Sequence, residues 1–419
     1  MTDNFDVIII GGGAAGCMAA GTAAKEGAQV LLLERNDKLA RKILVTGKGR
    51  CNVTNQLDNL QELISNVPGN GRFLYSAFTD FMPQDMRDSL AAHGVPTKVE
   101  RGNRVFPQSD KAMDIVDALA AFVEENNVQR KTERAVKLLK ADGKVVGVAC
   151  ESGNVYEADA VIVTTGGKSY PRTGSTGDGY QMAEDIGHKI MPLRPSLSAL
   201  KCREGFCTDC MGLSLRNVAL SVVDTKKKKE IYKDFGEMLF THFGVSGPMI
   251  LSASAHLRDM APERYKLFIN LKPALSEAQL DARILRDFEE ESNKNIYNAL
   301  GHLLPRSIIT PVLKFAGIRP NEKANQVTKE ARHSLLKTIQ ALPLTVLDFY
   351  KLEEAIVTAG GVKTSEVNPK TMESKLLSGL YFAGEILDVD AYTGGFNLQI
   401  AFSTGHLAGN SAAQAEAIH

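Results

Sequence analysis

FDVIIIGGGAAGCMAAGTAAKEGAQVLLLERN, Phe5 to Asn36, decides the fold. Its DVIII run is short and rich in β-branched side chains, as a buried parallel strand requires. Ala14 to Lys25 is a helix of small residues, and QVLLLE is a second buried strand. Between strand and helix lies Gly11-x-Gly13-x-x-Gly16. The first glycine makes the turn, the second lets the backbone approach a pyrophosphate, and the third lets the helix pack closely on the strand. The helix start offers free N–H groups to the phosphates. Glu34 ends the second strand 18 residues past Gly16, where a carboxylate accepts ribose hydroxyls and repels a 2′-phosphate. This is a Rossmann-type α/β unit for the ADP half of FAD or NAD, and these residues alone do not choose between the two.

The next segment makes that choice. An NAD-binding domain normally continues into another helix and a third strand. This chain instead inserts KILVTGKGRCNVTN, Lys42 to Asn55, a polar loop with Gly47, Gly49 and Arg50. Such a loop is expected to follow the pyrophosphate towards a flavin, its N–H groups and cations facing phosphates and ring edge. A second phosphate-friendly loop suits a long ligand held stretched out, as FAD is. Two later segments agree. Ala158 to Tyr180 holds a buried strand that ends in Gly166-Gly167, and a helix starts near Asp178. Near the C-terminus, LYFAG is followed by Glu385, Asp388 and a loop from Tyr392 to Asn397 that opens a small-residue helix. That helix start is expected to face the flavin O2 and N1 and to stabilise negative charge there.

These features resemble the two-dinucleotide-binding-domain flavoproteins. More narrowly, RKILVTGKGRCNVTN, RVFPQSDKAMDIVDAL, TTGGKSYPRTGSTGDGY, LFTHFGVSGPMIL and AGEILDVDAYTGGFNLQIAFSTG resemble the YhiN/BaiN-like family of bacterial FAD flavoproteins, end to end. That family includes aminoacetone oxidase and a bile-acid dehydro-reductase. The resemblance implies a Rossmann-like FAD domain with an inserted β-barrel-like substrate domain and a small helical subdomain. It also implies non-covalent FAD contacts from Gly11, Gly13, Ala15, Gly16, Glu34, Arg35, Lys42, Gly49, Arg50, Asn52, Thr165, Gly166, Gly384, Glu385, Asp388, Asn397 and Leu398. A strand near Ala135 is expected to meet the adenine through its backbone. Lys48 departs from the pattern, since relatives often carry Gly there; flavin binding is expected to survive the change.

The FAD domain is expected at 1–190 and 355–419, a β-rich substrate domain at 191–275 and 340–354, and a helical subdomain at 276–339. Lys111 to Asn127 has helical apolar spacing, and ADGK and ESGN read as turns between strands. Lys226 to Lys229 lies between two strand-like runs and reads as a solvated hairpin turn. In KCREGFCTDC, the spacing of Cys202, Cys207 and Cys210 matches three ligands of an iron–sulfur site or, at Cys207 and Cys210, a redox dithiol. No fourth ligand is evident, and the reading is no metal and incidental thiols. Tyr170, His242 and Tyr392 are the candidates for the substrate pocket; no catalytic residue is assigned. Cys51 has no evident base beside it to make it a nucleophile.

The 419 residues balance 49 Lys and Arg against 49 Asp and Glu. A zero net charge argues against nucleic acid or an anionic membrane as partner. No apolar run approaches the roughly 18 residues that span a bilayer, MTDNFDVIII shows no leader pattern, and six cysteines without secretion signals suggest a cytoplasmic protein. The expected activity is hydride transfer between flavin N5 and a small organic substrate. NAD(P)H is a possible transient reductant, although no second GxGxxG unit provides its own domain. The alternatives are an amine oxidase using O2, and an FAD-binding RNA-modifying or regulatory protein.

Overall fold

The computed structural model describes residues 4–416. Strand β1 (Asn4–Ile10), helix α1 (Ala14–Lys25) and strand β2 (Val30–Glu34) follow one another as the opening stretch requires. β1 lies between two parallel neighbours, pairing Val7 with Val30 of β2 on one side and Ile8 with Val161 on the other. It is buried on both faces, which is why it reads as a continuous apolar run. The sheet order is Gln129–Thr132, β2, β1, Val155–Val163, Lys144–Cys150, Ala135–Ala141. The strand Val155–Val163 changes character along its length. Its first half alternates exposed and buried beside the antiparallel hairpin, while its second half is wholly buried between β1 and the parallel strand Leu380–Phe382.

α1 is almost entirely buried and packs between the helix Ala112–Glu125 and the C-terminal helix Phe396–Glu416. The crossing with the C-terminal helix is close because both helices offer small residues. A Cβ on Gly405 would sit 2.4 Å from the Ala15 carbonyl oxygen, and one on Gly409 would sit 2.6 Å from that of Ala19. The ADGK turn joins its strands through Asp142 (φ 49°) and Gly143 (φ 77°), both left-handed, as a two-residue hairpin demands.

The chain divides into two compact units, one of residues up to 196 together with those from 352 onward, the other of residues 197–351. In the second unit six strands close a barrel in the order Leu200–Cys202, Gly244–Ser246, Lys229–Thr241, Ser214–Asp224, Tyr265–Asn270, Leu342–Phe349. The helices Glu277–Glu290, Arg306–Ala316 and Lys329–Gln340 share one apolar core with this barrel, through side chains such as Leu280, Ile309, Leu336, Leu267 and Leu344. Ser276 and Gln279 form a capping box at the first of these helices, and the Thr328 hydroxyl caps the third. The four lysines lie at the turn between Ser214–Asp224 and Lys229–Thr241, where the Asp224 carboxylate accepts the N–H groups of Lys226 and Lys227. Among the described residues no helix is long and apolar enough to cross a membrane.

Candidate FAD site

The glycine turn is built as a cradle. Gly11 has φ of 100°, and a Cβ there would lie 2.9 Å from the Thr164 carbonyl oxygen. A Cβ on Gly16 would fall 1.8 Å from the Gly11 carbonyl oxygen, so only glycine lets α1 sit this near the turn. Gly13 differs, since a Cβ there meets nothing within 4 Å. It is the N-cap of α1 and no side chain caps the helix. The first-turn N–H groups therefore face open space, the arrangement that receives a pyrophosphate.

Glu34 is buried at the end of β2. Its Oε2 accepts the Gly12 N–H at 2.7 Å, and its Oε1 accepts the Asn36 N–H at 2.8 Å and the Asn36 side chain at 2.7 Å. These bonds fix the carboxylate beside the turn and leave lone pairs for ribose hydroxyls. Arg35 is held by Thr176, whose hydroxyl also donates to Asp178. Asp178 is clasped by the Arg134 guanidinium at 2.8 and 3.0 Å, which holds its carboxyl below the usual carboxylate range. Ala135, next to that arginine, is buried.

Across the sheet, Thr165 lies against Gly11 and Gly384 lies against Ala15. The Thr165 hydroxyl is buried without a hydrogen-bond partner. That hydroxyl lies against Gly179 of the helix Asp178–Ile186. The feature that fits a phosphate-bearing ligand is the uncapped start of α1 with its open face at Gly13. Lys42 donates to Ser169 and to Glu385, both at 2.7 Å. Glu385 in turn accepts the Ser169 hydroxyl at 3.1 Å and the Thr358 N–H at 2.8 Å. This knot ties the long loop to the strand end and to the segment after Phe382. Ser169 and Thr358 were not legible as site residues, since partners about 190 residues apart leave no local pattern.

The loop itself is strongly bent. Gly47, Lys48, Gly49 and Cys51 all have φ between 55° and 84°. Lys48 at φ 59° occupies a left-handed position that favours glycine. Arg50 turns towards the protein. It binds Asp110 through Nε at 2.8 Å, also meets Glu100, and lies 4.2 Å over the Phe106 ring. Asn52, with its amide oriented to satisfy both ends, donates to the Thr54 and Val105 carbonyls and accepts the Gly395 N–H. It joins the loop to the start of the C-terminal helix. There Asn397 closes its own loop, accepting from the Ala391 N–H and donating to the Ala391 carbonyl, both at 2.9 Å. Leu398 is half-buried beside it, and Asp388 is tied to Asn70 at 3.0 Å. Tyr170 takes the left-handed conformation at φ 52°, and its N–H donates to the Glu353 carbonyl.

His242 lies in the barrel unit, its ring edge-on to Phe243 and its carbonyl accepting from Thr208. Cys202, Cys207 and Cys210 are free thiols; burial pushes Cys210 up to about 11. Burial also raises Cys51 to about 12, so its thiol stays protonated. Among the described residues no group of three or more His, Cys, Asp or Glu side chains is placed to hold a metal ion.

A glycine cradle at a helix start, a buried acid on the next strand and a second glycine-rich loop tied by Lys42 to Glu385 fit a dinucleotide-binding flavoprotein. The chain belongs to the family of the HI0933-like protein Rossmann domain, which matches residues 5–411, and is an FAD-dependent oxidoreductase by class. It is 32% identical over 410 residues to a 3-dehydro-bile acid delta(4,6)-reductase of Clostridium scindens, covering 97% of this chain and 98% of that one. It is 30% identical over 403 residues to a ribosomal RNA dihydrouridine synthase of Escherichia coli, covering 96% of each. Among solved structures, a 3-ketosteroid-delta4-(5alpha)-dehydrogenase from Rhodococcus jostii RHA1 shares the fold, with a TM-score of 0.53 and 16% identity over 99% of this chain and 98% of that one.

Proposed function

We propose that the chain is a reductase of a carbon–carbon double bond conjugated to a carbonyl. One observation carries this reading. Two relatives of near-equal similarity over nearly their whole lengths bear the names of such reductions, of a bile-acid Δ4,6 system and of uridine to dihydrouridine. The acceptors differ greatly in size, but in both an electron-poor alkene takes a hydride at its β-carbon and a proton at its α-carbon. FAD, when bound, supplies the hydride chemistry.

The chain's own residues hold and shape the site. Gly11, Gly13, Ala15 and Gly16 would hold the pyrophosphate of FAD, and Glu34, Arg35 and Ala135 its adenosine. Lys42, Gly49, Asn52, Thr165, Gly166, Gly384, Glu385, Asp388, Asn397 and Leu398 would hold the rest of the cofactor. Arg50 acts by fixing the loop through Glu100 and Asp110. Tyr170, Tyr392 and His242 are the groups proposed to meet substrate.

A second reading, in which the reducible bond belongs to a pyrimidine in folded RNA, is favoured by charge. The zero net charge is a sum of unlike parts. Residues 197–351 carry 23 Lys and Arg against 17 Asp and Glu, a net +6, which leaves −6 for the remainder. A basic unit is the electrostatic footprint expected of a nucleic-acid partner.

The test is anaerobic visible absorption of the flavin-loaded protein. Bleaching by NADPH or NADH, followed by reoxidation with an enone steroid or a ribosomal RNA fragment, supports the reductase and names the acceptor. A flavin that ignores both nicotinamides but is bleached by a small amine overturns it in favour of an amine oxidase.

A further inference from the structure

Thr54, Gln399 and Ser403 are fully buried polar residues of the first unit. Thr54 lies at the end of the bent loop and pairs with Val105. Gln399 and Ser403 stand one turn apart in the first part of the C-terminal helix. The Thr54 hydroxyl donates to Gln399 Oε1 at 2.6 Å. Gln399 Nε2 donates to the Phe81 carbonyl at 3.1 Å and to the Ser403 hydroxyl at 2.9 Å. That hydroxyl donates to the same carbonyl at 2.6 Å. Both ends of the Gln399 amide are thus matched, and the loop is tied to the helix through side chains sealed from water.

Stability alone does not account for this chain of bonds. A buried hydrogen bond adds little net stability, because the unfolded chain bonds to water instead, and apolar pairs of the same shape are often neutral replacements. A satisfied polar network adds direction: it holds one arrangement of its elements and rejects others. Here the fit is close. A Cβ on Gly395 would lie 2.2 Å from the Thr54 carbonyl oxygen, and the Gly395 N–H donates to the Asn52 side chain. The Gln399 N–H donates to the Gly395 carbonyl at 3.0 Å, so the N–H groups of Phe396, Asn397 and Leu398 precede the helix's own ladder. They form the positive end of a 21-residue helix. We propose that Thr54 and Gln399 are positioning residues for the flavin: their bond holds this helix end where its N–H groups meet the negative charge of the reduced ring. The proposal rests on the reading that Asn397 and Leu398 hold the cofactor.

The experiment measures the reduction potential of the flavin-loaded protein, by anaerobic reduction beside a reference dye, and the melting of the apoprotein by calorimetry. Thr54→Val keeps the shape and loses the hydroxyl; it is expected to shift the potential to more negative values. Thr54→Ser keeps the hydroxyl and the wild-type potential. The double variant Thr54→Val with Gln399→Met removes both partners of the bond and leaves the Phe81 carbonyl on Ser403. It should melt near the wild type and show the same shift in potential, which separates positioning from loss of fold. Ser403→Ala removes a bond that does not reach the loop, and should lower the melting temperature without moving the potential. A potential unmoved in Thr54→Val and in the double variant overturns the proposal. So does an equal shift in Thr54→Ser or Ser403→Ala, which reports general loosening. Asn397→Ala tells two failures apart. If it moves the potential and Thr54→Val does not, the network is structural and the cofactor reading stands; if neither does, that reading of the helix start falls as well.

Discussion

At the scale of single residues, two glycines three positions apart do different work. Gly16 answers to the fold, because a methyl group there would collide with the Gly11 carbonyl. Gly13 answers to the ligand, because a methyl group there meets only open space. Gly16→Ala is therefore expected to lower the melting temperature of the apoprotein, at a cost of about 1–3 kcal/mol. Gly13→Ala should leave apoprotein melting unchanged and reduce flavin content after dialysis; the two variants are compared by calorimetry and by the visible absorbance retained.

His188 gives a pH dependence at the same scale. It is buried, with Nε2 on Ser374 at 2.8 Å, Nδ1 facing Glu366 at 3.3 Å and its ring edge-on to Phe382. Burial lowers its pKa, although Glu366 opposes the shift. The unfolded chain then binds this proton more readily than the folded one. Stability from this site is whole above pH about 6.5 and is lost as pH falls through the lower folded value. Urea midpoints measured from pH 8 to pH 5 should drop in the wild type and drop less in His188→Gln.

At the scale of elements, α1 and the C-terminal helix act as a pair. Their crossing at Gly405 and Gly409 sets where the second helix starts, and that start bears the Gly395 to Leu398 loop. Gly405→Ala should cost about 1–3 kcal/mol and shift the flavin absorption maximum. Gly409→Ala, farther from the cofactor end, should lower the melting temperature with less spectral effect. Circular dichroism melts beside absorption spectra decide this.

The elements differ in how well the sequence announces them. β1, α1 and β2 were legible because strand, turn and helix are each specified locally, by β-branched runs and by glycines at fixed spacing. The start of the C-terminal helix was legible from its glycines, and the Lys226 turn from the runs on either side. The knot of Lys42, Ser169, Thr358 and Glu385 was not, since each member looks ordinary until the sheet assembles. Arg50 shows the reverse case. Its place in a glycine-rich loop suggested a phosphate, and only the fold shows Glu100 and Asp110 already on the guanidinium.

At the scale of the molecule, composition concealed a division. The even charge balance read as evidence against a polyanionic partner, but it is the sum of a basic insertion and an acidic FAD unit. A sum over the whole chain carries no information on where the charge lies. If RNA is the acceptor, replacing Lys226, Lys227, Lys228 and Lys229 by Gln should weaken RNA retention and flatten its salt dependence, by a slope of about 0.7 for each phosphate the lysines no longer neutralise. Reduction of a free enone should be unaffected; filter binding across a salt series beside turnover of the small acceptor gives both readings.

The strands at the insertion have a further consequence. Leu200 pairs with Phe349 inside the barrel unit, and Ser196 pairs with Val357 inside the other. Each unit thus closes its side of the junction with its own antiparallel ladder. Residues 197–351 are expected to melt cooperatively when expressed alone, as calorimetry will show. The same property makes the insertion an exchangeable cassette. Exchange of this part between the two paired strands is expected to leave the ladder Ser196–Val357 of the other unit intact.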